Sequence, residues 1–402
     1  MKVLALVNVS NLDDLTCDSG VIFQRILSQE LRKYDVDYVL LGPDVEVFKN
    51  LQIEGVRIRV AGLGTTRYCS RFSFDWKGIK EVIEEENPDV IFNNQVELTA
   101  ALRSVLLTEG RSKTALVSYC HYPSIWGIHA GVPEIDGSLD HHHLGMPIVF
   151  DILSALVTAD AFLIQSEFAK SLITSAAAYY NVSRAPEIHV ISPPADPLVM
   201  GELLKAAPKN RCLLYNHRLY QSYGTEEFLL LARSLASKGI DVVVSDPMPA
   251  RSKKRNSLSP TPALFRDKIS QMPRAHLVDG NVSREHYRDV IQSCRIACGA
   301  FRKACVWSMA AMDCMSLGIP VVAPNYASYP EFIPEELLFN NLEQAERIAS
   351  RLMDDDAFWL RSSARCYESS MAFLPSKIAR KLFLIFSSLV ESKTERVCVS
   401  SR

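Results

Sequence analysis

Apolar residues along the chain follow two alternating rhythms. Short runs at Val3–Val7, Tyr38–Leu41, Val90–Phe92, Ala115–Tyr119 and Phe162–Ile164 are nearly continuous in apolar side chains, as strands covered on both faces must be. Longer stretches with helical spacing follow several of them: Val21–Leu31, Leu98–Leu107 and Phe168–Tyr180. This alternation predicts a parallel sheet with crossover helices. A second series reads strand Cys212–Tyr215, helix Thr225–Ser237, strands Val242–Ser245 and His276–Val278, helix Glu285–Ser293, strand Ile296–Gly299, helix Trp307–Leu317 and strand Pro320–Ala323. It predicts another doubly wound α/β unit. Between the two series, Val190-Ile191-Ser192-Pro193-Pro194-Ala195-Asp196-Pro197 carries three prolines in five residues, which stiffens the crossing. The expected organisation is a first Rossmann-like domain over residues 1–196, a second over 197–375, and a segment 376–402. In that last segment the spacing of Ile378–Val390 predicts a helix folding back across the domains. The Pro- and Ser-rich stretch Met248–Leu264 reads as an exposed loop.

Composition adds constraints. At 402 residues, 48% hydrophobic and 22% charged, the chain is globular and too long for one core. Lys plus Arg (44) nearly cancel Asp plus Glu (46), so no net field announces a polyanionic partner. Ten cysteines run from Cys17 to Cys398 without a CxxC pair, which reads as free thiols in a reducing compartment and a cytoplasmic protein. Met1–Val9 reads as a first strand rather than a signal peptide, and Met146–Ile164, the longest apolar stretch, is interrupted by Asp151 and Asp160, so no membrane span is expected.

Doubly wound sheets bind ligands at the carboxyl ends of their strands, and in a two-domain arrangement those ends line the cleft between the domains. Four segments fall at such ends. Asp18-Ser19-Gly20 opens the first helix: Gly20 permits close backbone approach to a ligand, and the same residues also read as a tight turn and helix cap. Cys120-His121-Tyr122-Pro123 follows a strand and places an imidazole where it can bind a sugar hydroxyl or shift a proton. Asn216-His217-Arg218 ends the second domain's first strand, and the planar fork of Arg218 suits a diphosphate. Phe301-Arg302-Lys303-Ala304-Cys305-Val306-Trp307-Ser308 is a strand-to-helix turn whose free amides are worth about 0.3 to 2 kcal/mol towards an anion. With Arg302 and Lys303 beside it, this turn reads as a phosphate site. The triplet His141-His142-His143 cannot all face one ion on regular structure, so it reads as a solvated or acceptor-side loop.

Three further segments carry a family resemblance: Ala159-Asp160-Ala161-Phe162-Leu163-Ile164-Gln165-Ser166-Glu167-Phe168, Val190–Asp196, and above all Asp313-Cys314-Met315-Ser316-Leu317-Gly318-Ile319-Pro320-Val321-Val322 followed by Tyr329–Ile333. Together they resemble the retaining GT-B glycosyltransferases, the large family that includes sucrose synthases and glycogen synthase relatives. The resemblance implies an α/β fold of two Rossmann-like domains facing across a cleft, and transfer of a sugar from a UDP- or GDP-linked donor with no metal or other cofactor. It also implies roles. Asp313 would hold the donor ribose, as the second glutamate of the family's Glu-x7-Glu pattern does; Arg218 would contact the diphosphate; His121 would lie near the sugar, with Gly20 in the loop beneath it. Two positions depart from the pattern: the first glutamate falls on Cys305 and the diphosphate lysine on Tyr223, and Lys303 or Arg302 would replace the lost positive charge. The acidic runs Asp354-Asp355-Asp356 and Glu84-Glu85-Glu86 are expected to face solvent.

The implied chemistry is attack on an oxocarbenium-like sugar from the leaving-group face, with the departing diphosphate stabilised electrostatically by Arg218, Arg302, Lys303 and the helix start at Trp307 and Ser308. For the acceptor, Arg251, Lys253, Lys254 and Arg255, with Arg266 and Lys268 further on, suit a nucleic-acid backbone, with a hydroxymethyl-type base in DNA or tRNA as the hydroxyl. Ser19 and Tyr122 would lie on the same acceptor side. Cys120–Pro123 and Tyr215–Arg218 also resemble glycosyltransferases that act on modified nucleosides. Three alternatives stand beside this one: a lipid-linked or surface-polysaccharide acceptor, a nucleotide-sugar-binding protein that has lost catalysis at Cys305 and Tyr223, and a nucleotide-sugar epimerase of the same fold. Sugar, nucleobase and oligomeric state stay open at this stage.

Overall fold

From Val3 to Leu6, and throughout Val90–Asn93, Ala115–Cys120 and Ala161–Ile164, the strand residues are buried, which requires cover on both faces of a sheet. The computed structural model describes residues 1–7, 9, 15–63, 72, 74–137, 143–182, 187–246, 260–279 and 283–400. These form two compact units, Met1–Pro194 together with Pro375–Arg402, and Ala195–Leu374.

In the first unit the strands are β1 (Lys2–Leu6), β2 (Asp37–Pro43), β3 (Arg57–Ala61), β4 (Val90–Asn93), β5 (Ala115–Cys120), β6 (Ile125–His129), β7 (Val132–Ile135), β8 (Ala161–Ile164) and β9 (Ile188–Val190). Seven of them form a parallel sheet in the order β3-β2-β1-β4-β5-β8-β9, while β6 and β7 pair separately as an antiparallel hairpin. The crossovers use helices α1 (Ser19–Leu31), α2 (Glu46–Lys49), α3 (Trp76–Glu86), α4 (Thr99–Thr108), α5 (Gly145–Thr158) and α6 (Glu167–Tyr179). The order reverses between β1 and β4, the point at which doubly wound sheets open a crevice.

The second unit repeats the plan: β10 (Cys212–Tyr215), α7 (Thr225–Ser237), β11 (Asp241–Asp246), α8 (Thr261–Ser270), β12 (Ala275–Asp279), α9 (Arg284–Ser293), β13 (Ile296–Cys298), α10 (Met309–Met315), β14 (Val321–Pro324), β15 (Leu338–Phe339), α11 (Leu342–Asp354) and α12 (Asp356–Ser370). Its sheet runs β12-β11-β10-β13-β14-β15 and reverses between β10 and β13. A last helix, α13 (Pro375–Ser400), belongs to the first unit: Phe386 packs on Phe92 with ring centres 5.5 Å apart, Phe383 stacks on Tyr34 at 4.7 Å, and Lys393 Nζ lies 2.9 Å from Asp160 Oδ1. Among the described residues no helix is long and apolar enough to cross a membrane.

The structure corrects the sequence reading in four places. Helix α10 begins at Met309, not Trp307, because Ser308 is extended and caps it by accepting from the Ala311 amide. The expected loop Met248–Leu264 ends inside α8, which starts with Pro262 in its first turn. Helix α13 is twice as long as its apolar core suggested. Glu86 is buried rather than solvent-facing, since Lys2, Arg57 and Arg59 surround its carboxylate at 3.1 to 3.6 Å. Of the acidic run near the C-terminus, Asp354 and Asp356 are exposed as expected.

Phe386 has no exposed surface, so Phe386→Ala is expected to cost about 3–5 kcal/mol. Urea unfolding checks this; an unchanged midpoint would mean that α13 adds nothing to the first unit.

Candidate functional site

Three neighbouring strands of the first sheet, β4, β5 and β8, stay buried to their ends and then present one polar side chain each: Asn94, His121 and Gln165. The three meet. Gln165 Nε2 donates to His121 Nδ1 at 3.3 Å, and His121 Nε2 lies 3.1 Å from Asn94 Oδ1. The Asn94 amide nitrogen donates to the Phe92 carbonyl, which leaves its oxygen for the ring. The consistent tautomer therefore carries its proton on Nε2. Burial against Tyr119 and Phe23 pushes the His121 pKa down to about 4, so the ring is neutral around pH 7 and works as a hydrogen-bonding group.

At the start of α1 a side-chain cap is formed. Asp18, fully buried, accepts from the amides of Gly20 at 2.9 Å and Val21 at 3.2 Å. These amides already face a carboxylate. Ser19 is exposed, and Tyr122 is half-buried beside His121.

The second unit gathers more of the expected residues. Asn216, His217 and Arg218 follow β10, and Phe301–Ser308 follows β13, on either side of the point where the strand order reverses. The two loops touch: Gly224 has φ 64°, and a Cβ there would lie 2.4 Å from Phe301 Cβ, so glycine is required on both counts. The Arg302 guanidinium sits 5.0 Å above the Tyr223 ring. Arg218 is half-buried and Lys303 exposed. His217, pushed down to about 4 by burial, donates from Nε2 to the Cys298 carbonyl at 3.2 Å and ties the ends of β10 and β13 together.

Cys305 is buried, and its thiol is held neutral by burial with its Sγ 3.5 Å from the Trp307 carbonyl. Trp307 packs on Phe332 and Phe373, both with ring centres 4.8 Å away. Ser308 is committed to the α10 cap.

Asp313, on α10, is buried in a polar cluster that the sequence reading did not contain. Arg284 donates to Asp196 at 3.0 Å and to Asp313 at 3.3 Å, and its guanidinium lies 4.7 Å over the Tyr287 ring. Asn216 Nδ2 donates to the Tyr287 hydroxyl at 2.7 Å and to the Ala310 carbonyl at 3.1 Å. Burial pushes the Asp313 pKa up to about 6; Arg284 opposes the rise and Asp196 adds to it. Arg284 and Asp196 are 88 residues apart, so no local pattern joins them.

Arg251, Lys253, Lys254, Arg255, His141 and His142 lie outside the described residues. Of the remaining basic residues proposed for that patch, Arg266 pairs with buried Asp246 at 2.9 Å and Lys268 stands 4.0 Å from Glu226. Among the described residues no three His, Cys, Asp or Glu side chains gather as metal ligands would.

The two parallel-sheet units give the chain the two-domain, Rossmann-like GT-B fold. A sucrose-phosphate synthase from Thermosynechococcus elongatus is similar over 98% of this chain and 100% of its own, with TM-score 0.71 and 15% identity. HepE from Anabaena, in complex with UDP and glucose, is similar over 96% of this chain and 100% of its own, with TM-score 0.70 and 13% identity. A UDP-forming trehalose-phosphate synthase from Burkholderia xenovorans matches 96% of this chain and 99% of its own at TM-score 0.64 and 11% identity. No protein-family model and no curated protein matches the sequence.

His121 and His217 both charge more readily when unfolded, at about pH 6.5, than when folded, at about 4. Stability is therefore full above the unfolded value and falls as pH drops between the two. Ring NMR is expected to show His121 neutral with Nε2–H near pH 7; titration near pH 6.5 would contradict the geometry.

Proposed function

We propose that the protein is a glycosyltransferase that takes its sugar from a UDP- or GDP-linked donor and passes it, with retention of configuration, to an acceptor hydroxyl. The observation that carries this reading is the second unit's carboxyl edge, where Arg218, the Arg302–Tyr223 pair and buried Asp313 flank the reversal of strand order. A diphosphate needs cations there, and a ribose diol needs a carboxylate that can accept two hydroxyls. The fold neighbours add support: one is UDP-forming and one is held in complex with UDP and glucose.

In the proposed reaction the bond from the anomeric carbon to the diphosphate oxygen breaks, and its electron pair leaves with the diphosphate. The acceptor oxygen attacks the same face and gives its proton to the departing phosphate oxygen. Arg218 and Arg302 stabilise the charge that develops there. His121, neutral and with both ring nitrogens engaged by Asn94 and Gln165, takes no part in proton transfer. Neutral Cys305 supplies no nucleophile. The Arg302 position over Tyr223 favours Arg302 over exposed Lys303 as the replacement cation. The absence of a carboxylate at Cys305 favours a second reading, a donor-binding protein without turnover.

The test is release of nucleotide diphosphate from a panel of UDP- and GDP-sugars, alone and with sugar-phosphate, lipid-linked, tRNA and hydroxymethylated-DNA acceptors. Acceptor-stimulated release is expected, and Arg218→Ala is expected to lower it about 100- to 1,000-fold. Donor binding without release under any condition establishes the second reading; absence of donor binding overturns both.

A further inference from the structure

The cluster around Arg284 is placed against ordinary helix electrostatics. Arg284 is the first residue of α9, capped by Ser283, where the helix dipole disfavours a cation. Its side chain is largely buried, which adds a desolvation cost, and both costs are offset by two buried carboxylates, Asp196 and Asp313. Asp196 is itself fixed: its Oδ1 accepts from the Leu198 amide at 3.0 Å, and its carbonyl accepts from Val199 and Met200, both at 2.9 Å. Arg284 thus ties the α10 carboxylate to a rigid turn at the entrance to the unit.

We propose that Arg284 is a positioning residue that holds the Asp313 carboxylate ionised and in place for the donor's ribose diol, with Asp196 as its anchor. This rests on the reading of Asp313 as the ribose ligand. The groups facing Asp313 are Arg284 and Tyr287 from α9, Asp196 from the entering segment and Cys314 on its own helix, with Asn216 behind Tyr287. One cation serves two carboxylates, so the balance is sensitive to either partner. Protonated Asp313 loses its attraction for Arg284 and accepts fewer hydroxyl bonds, so donor affinity falls as pH drops through the Asp313 titration.

The experiment is calorimetric titration of the full chain with UDP-glucose and GDP-glucose between about pH 5 and pH 8, a range that brackets the Asp313 titration and in which the donors' diphosphates and bases keep their charge. Arg284→Gln is expected to move the affinity midpoint to higher pH, with at least about tenfold weaker binding near pH 6 that narrows toward pH 8. Asp196→Asn, which removes the competing carboxylate, is expected to move the midpoint the other way and strengthen binding near pH 5. A merely structural role for Arg284 would weaken binding equally at every pH, and a midpoint unmoved in both variants would overturn the proposal. Asp313→Asn separates the two levels of inference. If it leaves affinity unchanged, or if the wild type binds neither donor, the ribose reading itself fails; if it weakens binding while the other variants keep the wild-type profile, only the role of Arg284 fails.

Discussion

A strand covered on both faces has no place for an unpaired polar side chain, and this one constraint arranges the molecule. Along β4, β5 and β8, and again along β10 and β13, residues are buried to the last position of the strand. The first residue that can carry chemistry is therefore the one past the carboxyl end, and because all the sheet strands are parallel, those residues collect on one edge. Asn94, His121 and Gln165 meet in the first unit for this reason. In the second unit, for the same reason, Asn216, His217 and Arg218 follow the end of β10, where His217 bonds the Cys298 carbonyl of β13.

Burial then decides what each collected group can do. It keeps His121 and His217 neutral and turns them into hydrogen-bonding parts, and it leaves Cys305 a thiol. The same cost falls on the carboxylates of Asp196 and Asp313, and there it is met by a shared guanidinium rather than by solvent. Arg218 and Arg302 follow β10 and β13 on this edge, and the Asp313 carboxylate is paired with Arg284. The chain has the two-domain, Rossmann-like GT-B fold, and in its second unit the Arg302 guanidinium stacks over the Tyr223 ring.

The fold was legible where hydrophobic runs were continuous: β1, β4, β5, β8 and β10 all stand out because both faces of each are covered. Edge strands were not legible. In β3, Arg57 and Arg59 alternate with Ile58 and Val60 and pair with Glu85 and Glu86, so its polar half reads as loop until the partners are known. The β6–β7 hairpin lies in a stretch with weak alternation and two glycines, Gly127 and Gly131, and the mid-chain prolines concealed β9. At the candidate site, strand-end residues such as His121 and Arg218 could be read locally. Arg284 could not be read in this way, because its importance comes from carboxylates far away in sequence and from a helix position that propensity disfavours. The aromatic packing of Trp307 on Phe332 and Phe373 was likewise not legible locally, because its partners lie far along the chain.

The central claim, that the second unit's carboxyl edge binds a nucleotide diphosphate, is tested most directly by hydrogen–deuterium exchange with and without UDP and GDP. Protection is expected to be confined to the segments Asn216–Gly224, Gly299–Ser308 and α10, with at most small changes in the first unit's sheet. Exchange unaltered in those segments under saturating nucleotide, or protection centred elsewhere, would contradict it.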